Sequence, residues 1–470
     1  MFPLVEFPEL VQHYASHFEQ VFSPEAFIEF ERYVSGLIVS ENKTVDGINR
    51  LFVHESRHQS SLNRLLTASP FSLEALNQAR LQLLHQVPGT HMKRKGVFSV
   101  DDTFLIHTGE HFDQIALLRD PETGHFVRAH NLVTLHYSDD DTDYPVRFQL
   151  WKPTDVEALE QGLVAAGFRL QPSKHALKTT APHQWRNYLQ GIWRRHQDQP
   201  EVAALYQSKL LIAERLLQDW VATDPPYRLP VTFDNWYTQP AFCRHLVETL
   251  HLDYVGSLAE NDQVLLRQGP QRLDAFAEHL KQEHLAAVPR GKPPVFQPIT
   301  IPYKGETERY YSYCATHRIQ TFGRQRLVIN YRHADLSDSP VFFISNNLTW
   351  QAPGITRIRR HRWPVEVYHE EGKAEGLDQY QLRDFQAIER HIGLVAVVYS
   401  LLRAAQHDPA LHTKLHRQLK LDLEGSNAFW RRATQAQSLW SLALVISASL
   451  SRGESLRHIM APLLRALCAA

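Results

Sequence analysis

Near residue 96 the spacing of apolar residues changes from helical to extended, and this switch constrains the fold more than any other feature of the chain. Before it, residues 26–34 and 73–84 repeat apolar side chains at helical intervals, so residues 1–92 are predicted to be helical. After it, residues 96–106, 126–137 and 144–151 read as strands. A polar insertion follows at 154–200, helical only at its ends. An amphipathic helix is expected over 201–222, stopped by Pro225-Pro226. Strand, helix and strand then follow at 229–234, 240–252 and from Tyr254. This rhythm predicts an α/β core.

Residues 260–345 interrupt the rhythm. They hold a helical piece at 272–286, a Pro/Gly stretch at 289–305 and strands at 308–314, 326–331 and 341–345. The last hundred residues return to helix at 356–375, 384–406 and 432–450. No internal repeat or low-complexity run stands out.

Length and composition narrow the classes. A chain of 470 residues can bury a large core, and length alone suggests about two to four domains. The net charge of −1 gives no global positive field, so any polyanion must be met by local clusters of basic residues. Cys243, Cys314 and Cys468 lie far apart, match no zinc spacing and argue against a disulfide scaffold. The N-terminus lacks the pattern of a signal peptide, and the apolar stretches at 392–402 and 439–450 are too short or interrupted to span a bilayer. A cytoplasmic protein with no membrane partner is expected.

The chemistry concentrates in Arg357-Ile-Arg-Arg-His-Arg-Trp-Pro-Val-Glu366-Val-Tyr-His-Glu-Glu-Gly-Lys373, which reads as one helix. Arg362, Glu366 and Lys373, spaced by four and seven, fall roughly on one helical face. A carboxylate among cations suits a site that holds a metal and a nucleic-acid backbone together. Two earlier acidic positions complete it: Asp101-Asp102 near a strand end and Asp234 just past another. Phosphodiester cleavage needs charge stabilised on the attacking and leaving oxygens. Two divalent ions about 4 Å apart do this, and a few carboxylates suffice for Mg²⁺. Two Mg²⁺ ions are therefore expected, with Mn²⁺ able to substitute.

Blander readings stand beside these. A strand-end aspartate is commonly a turn or cap residue, and Glu366 can simply pair with Arg362 across one turn. Arg362 and Lys373 are candidates to grip phosphates, with Arg357, Arg359 and Arg360 extending the contact; the alternative is a solvated basic helix start. Trp236, Tyr237 and Trp363 are candidates for stacking on an unpaired base, against core packing. His107, His130 and His361 show nothing above background. In the N-terminal region, Thr44 is placed to cap a helix. A following helix carrying His54, Arg57, His58, Asn63 and Arg64 reads either as the reader of a helix-turn-helix or as a packing helix with a polar face.

The chain resembles the DDE transposases of bacterial insertion sequences, in the IS4-related group whose third acid lies in a Tyr-x2-Arg-x3-Glu-x6-Lys signature. Arg362, Glu366 and Lys373 match three of its four positions; Arg359 stands where the tyrosine belongs. Gly376-Leu-Asp-Gln-Tyr, Phe30-Glu-Arg-Tyr-Val-Ser-Gly-Leu, Asp101-Asp-Thr and Phe233-Asp-Asn-Trp-Tyr237 resemble the IS701-like branch most. The resemblance, over roughly residues 25–405, implies a ribonuclease-H-like catalytic core interrupted by a β-rich insertion, with helical regions at both ends. The boundaries then fall at 1–92 (DNA-binding), 93–259 (first part of the core), 260–350 (insertion), 351–406 (end of the core) and 407–470 (C-terminal). It implies Asp102, Asp234 and Glu366 as catalytic, metal-holding acids, with Asp101 the rival first acid. Implied too are double-stranded DNA partners (terminal inverted repeats and target), 3′-hydroxyl strand transfer and a homodimer in the synaptic complex.

Overall fold

After the first, the N-terminal helices begin where a polar side chain satisfies a free backbone N–H. In the computed structural model, which describes residues 3–53, 57–120 and 123–468, these are α1 (Glu9–Ala15), α2 (Pro24–Val39), α3 (Val45–Asn49), α4 (Gln59–Thr67) and α5 (Leu73–Gln86). Ser23 caps α2, Thr44 caps α3 as expected, and Ser72 caps α5. The helix after α3 starts only at Gln59, with His58 as its cap, so Arg57 and His58 precede it. Arg57 pairs with the buried Glu29 at 3.0 Å, while Asn63 and Arg64 are exposed. His54 lies outside the described residues.

The change at residue 96 is real. Strands β1 (Val97–Ile106), β2 (Ala116–Arg119), β3 (Phe126–Ser138) and β4 (Asp143–Trp151) follow it. The next helices are α6 (Val156–Ala165), α7 (Leu177–Thr180), α8 (Pro182–His196), α9 (Pro200–Ala203) and α10 (Lys209–Val221). Then come β5 (Val231–Phe233), α11 (Pro240–Arg244) and β6 (Tyr254–Leu258). Strands β1, β3 and β4 pair antiparallel, and β1, β5 and β6 pair parallel. The result is a mixed open sheet in the order β4-β3-β1-β5-β6, broadly consistent with a ribonuclease-H-like arrangement.

The region expected to interrupt the core instead lengthens its sheet. It comprises β7 (Gln263–Leu266), β8 (Gly269–Arg272), α12 (Leu273–Ala287), β9 (Gln297–Tyr303), β10 (Glu306–Ile319), β11 (Gly323–Tyr331) and β12 (Val341–Ser345). Because β12 pairs with β6, the described strands form one twelve-stranded sheet. Within the expected Pro/Gly stretch, β9 forms despite Pro298 and Pro302. It pairs only with β10, and an edge strand tolerates a missing N–H.

Two helical expectations need correction. The 154–200 insertion is helical beyond its ends, because Trp185, Leu189, Ile192 and Trp193 of α8 close a separate small core with Leu159, Leu163 and Val202. The helix expected over 201–222 breaks after Ala203 and restarts at Lys209, capped by Ser208.

The C-terminal part holds α13 (Ala352–Arg360), α14 (Trp363–Ala374), α15 (Phe385–Ala405), α16 (Pro409–Leu419), α17 (Asn427–Ser451) and α18 (Leu456–Cys468). The stretch read as one helix is therefore two. Pro364, in the first turn of α14, has no N–H to donate back to α13. The 21-residue α15 is long and apolar enough to cross a membrane, contrary to the shorter stretch read there, but most of it is buried in the core. It packs against α2, α4, α5, β4 and α17.

One buried carboxylate ties these layers. Asp143, at the start of β4, accepts hydrogen bonds from Lys304 (2.7 Å), Tyr399 (2.8 Å) and Arg403 (3.1 Å). Lys304 sits at the tip of the β9–β10 hairpin and the other two on α15. Burial opposes ionisation, yet Arg403, Lys304 and His136 hold this carboxyl below the usual range. Asp143→Asn should cost about 3–5 kcal/mol by stranding buried cations, read as a lower urea midpoint at pH 7. Because the folded pKa is depressed, that stability exists above the unfolded value and is lost as pH falls. The gap between wild type and variant should narrow below roughly pH 4.

Candidate active site

Alternation along β1 sends Asp101 and Asp102 to opposite faces of the sheet. Asp102 shares its face with Phe98, whose ring packs edge-on to Trp220 of α10. Asp101 shares its face with Val97, which packs with Ile355 and Ile358 of α13. Both acids stand inside β1 and not at its end, because β1 runs on to Ile106.

Asp102 is held by three donors. Tyr237 Oη donates to Oδ1 at 2.8 Å, and Asn131 Nδ2 (2.6 Å) and Lys209 Nζ (2.8 Å) both donate to Oδ2. Tyr237 is buried, so the structure gives it this role and not that of a base-stacking side chain. Lys209, the first residue of α10, also lies 4.2 Å over the ring of Trp236. Trp236 is 44% exposed.

Asp101 faces the α13–α14 break. Arg362 donates to its Oδ2 at 2.7 Å and also pairs with Glu366. One guanidinium thus spans the two carboxylates. Burial pushes the Asp101 carboxyl up to about 7; Arg362 opposes this, while the charges of Asp234 and Asp102 push the same way as burial. Asp234 follows β5 directly, where its Oδ1 accepts from the backbone N–H of Trp236 (3.0 Å) and Tyr237 (3.1 Å). It is a turn residue, as its sequence context allowed, and it also stands beside Asp101.

Arg359 joins this group from the other side. Burial and the neighbouring Arg362 push its guanidinium down to about 10, while Asp234, Glu366 and Asp101 act in the opposite sense. It donates to Ser257 Oγ of β6 at 2.7 Å. Arg357 and Arg360 are spent elsewhere. Arg357 binds Asp140 and the Lys95 carbonyl, and Arg360 grips Glu308 and lies over the Tyr303 ring. They fasten α13 to its surroundings. Lys373 makes no side-chain hydrogen bond or ion pair among the described residues, and Trp363 is 51% exposed. His361 and His130 are buried and hydrogen-bonded within the fold.

Acids from three distant segments therefore converge: Asp101, Asp234 and Glu366. As an all-oxygen set they suit a hard divalent cation. Among the described residues, however, no three His, Cys, Asp or Glu side chains are grouped closely enough to hold one. Arg362 occupies the cationic position between Asp101 and Glu366. Asn131 and Lys209 escaped sequence reasoning. Asn131 left a trace, as a lone amide in an apolar strand that must find a partner. Lys209 left none, because its partner lies 107 residues away.

A family described as DDE superfamily endonuclease matches residues 17–304, more than half of the chain. The match takes in Asp101, Asp102 and Asp234 and stops short of Glu366. No curated protein matches the chain.

Removing one donor from a nearly buried carboxylate costs about 1.5–3 kcal/mol, so Tyr237→Phe should lower the unfolding midpoint. In an Asp102→Asn background the same change should cost measurably less. A double-mutant cycle showing no coupling would remove the Tyr237–Asp102 bond from the account.

Proposed function

We propose that this chain, which belongs to the DDE superfamily of endonucleases, is the transposase of a bacterial insertion sequence, most like the IS701-like branch. Membership implies metal-dependent cleavage of nucleic acid in general. The finer reading is cleavage at terminal inverted repeats, followed by attack of the freed 3′-hydroxyl on target DNA. The observation that carries it is that one guanidinium, Arg362, binds both Asp101 and Glu366, with Asp234 near enough for its charge to act on Asp101.

Asp101, Asp234 and Glu366 would hold the metal only once drawn closer together, with Arg362 turned from between two of them, and Mg²⁺ is the proposed ion with Mn²⁺ as substitute. Bound ions supply positive charge to the attacking and leaving oxygens of the phosphodiester. The protein's own groups do the rest. Arg362 balances two of the acids, and a DNA phosphate is a competing anion for its planar fork. Lys373, which makes no side-chain hydrogen bond or ion pair among the described residues, is available as a second phosphate contact. Trp236 and Trp363 offer exposed rings for an unpaired base. Asp102, with its three donors, acts as a positioning residue that fixes β1 against the turn bearing Asp234. Between the two candidate first acids, the geometry favours Asp101. Two element ends and one active site per chain make a homodimer the natural assembly.

The test incubates purified protein with labelled duplex carrying the element's ends, plus a target plasmid, in Mg²⁺ or EDTA. Cleavage and strand joining are expected in Mg²⁺ only. Asp101→Asn, Asp234→Asn and Glu366→Gln should fall to the EDTA level, whereas Asp102→Asn should retain more activity than Asp101→Asn. Cleavage without joining would point to a nuclease. DNA binding without cleavage by the wild-type protein, on verified ends, would reduce the chain to a DNA-binding protein.

A further inference from the structure

The helical unit between β4 and α10 plays no part in the site described above, yet it contains a long stretch whose charges are all of one sign. Between residues 161 and 197 stand Arg169, Lys174, Lys178, Arg186, Arg194 and Arg195, with no aspartate or glutamate, in a chain of net charge −1. All six are exposed. Lys178 pairs with Glu160. The other five make no side-chain hydrogen bond or ion pair among the described residues.

Alpha-helical geometry organises part of this charge. On α8, Trp185, Leu189, Ile192 and Trp193 turn into the unit's own core. His183, Arg186, Asn187 and Arg194 are exposed and, at offsets of three, four and eleven, share the outer face. Each carries a hydrogen-bond donor, and none is apolar. The row is roughly 16 Å long at about 1.5 Å per residue, enough to meet more than one phosphate of a strand that carries one charge per about 3.4 Å of duplex axis.

The unit is anchored at the carboxylate end of the sheet. Strand β4 runs parallel to β1 and β5, because both pairings from β1 through β3 to β4 are antiparallel. The unit leaves from the end of β4, on the same side as Asp234 after β5. Its roots are tied by Trp151 to Tyr206 (3.3 Å) and Gln149 to Gln207 (3.0 Å). It re-enters at Lys209, which binds Asp102.

We infer that this unit is a second DNA-binding surface: it takes the sugar-phosphate backbone of duplex DNA beside the active site, without reading its sequence. The inference rests on the DNA reading proposed above. A surface of unpaired arginines with hydrogen-bonding neighbours and no apolar row fits phosphates better than a lipid bilayer or an apolar protein face.

The test measures binding of the full-length protein to a labelled duplex in EDTA, over a salt series from about 50 to 200 mM. R186A/R194A/R195A is compared with a control, R215A/R267A/R324A, whose arginines are also exposed but lie outside the unit. Circular dichroism melting should show both variants folded like wild type. The expected result is a logarithmic salt slope shallower by roughly two to three in the first variant alone. An unchanged slope in that variant, or an equal fall in the control, overturns the inference while leaving the DNA reading intact. No binding by the wild-type protein at any salt overturns both.

Discussion

Arg362 is the contact on which the site depends. It sits at the break between α13 and α14 and reaches Asp101 on the central strand and Glu366 one turn along α14. Without a cation there, two acids with Asp234 nearby would repel one another in a partly buried place. Arginine suits the task because its fork serves two acceptors at once and stays charged when desolvated. The break that Pro364 enforces is part of the arrangement, since it ends α13 just before Arg362. The same contact sets a positive charge among the acids. Their charge is balanced from within the protein.

The rest of the fold fixes where that arginine can be. Helix α13 is fastened at both edges, by Arg357 to Asp140 and by Arg360 to Glu308. The β9–β10 hairpin that carries Glu308 is itself anchored through Lys304 to Asp143, and Asp143 to α15. Arginines that look in the sequence like one basic face are thus divided by role. Those on α13 hold the helix in place, and Arg362 neutralises the site. A row of like charges says little about function until its counter-charges are known, and those come from strands far away in the chain.

Local pattern carried much of the fold. The switch at residue 96, strands β1, β3 and β4, the cap at Thr44 and the long helices follow from periodicity and turn chemistry. Two of the failures share a cause, which is packing between segments that no local pattern links. Nothing local tells that β12 returns to β6, so that an apparent insertion continues the sheet. Nor does composition show that α8 has its own core, because its apolar residues are interleaved with three exposed arginines. At the site, the acids were readable as residues. Their partners were not: Tyr237 reads as a stacking ring in the sequence and is a buried donor in the fold.

The choice between Asp101 and Asp102 shows what structure adds to a motif. Adjacent residues on a strand face opposite ways, so only one of the pair can share a site with an acid on a given helix. Asp102 faces α10, and its two oxygens are already met by an amide, an ammonium and a phenol. A carboxylate so satisfied gains little from a further cation and loses bonds in turning to one. Asp101 has one cationic partner, which it shares, and two acidic neighbours whose charge burdens it. Both carboxylates have their oxygens met, but Asp101, whose Oδ1 accepts from the Asp102 backbone N–H at 2.9 Å and whose Oδ2 shares Arg362, is the one burdened by neighbouring negative charge. Asp102 thus ties β1 to α10 and to the turn bearing Asp234, while Asp101 shares the Arg362 guanidinium with Glu366.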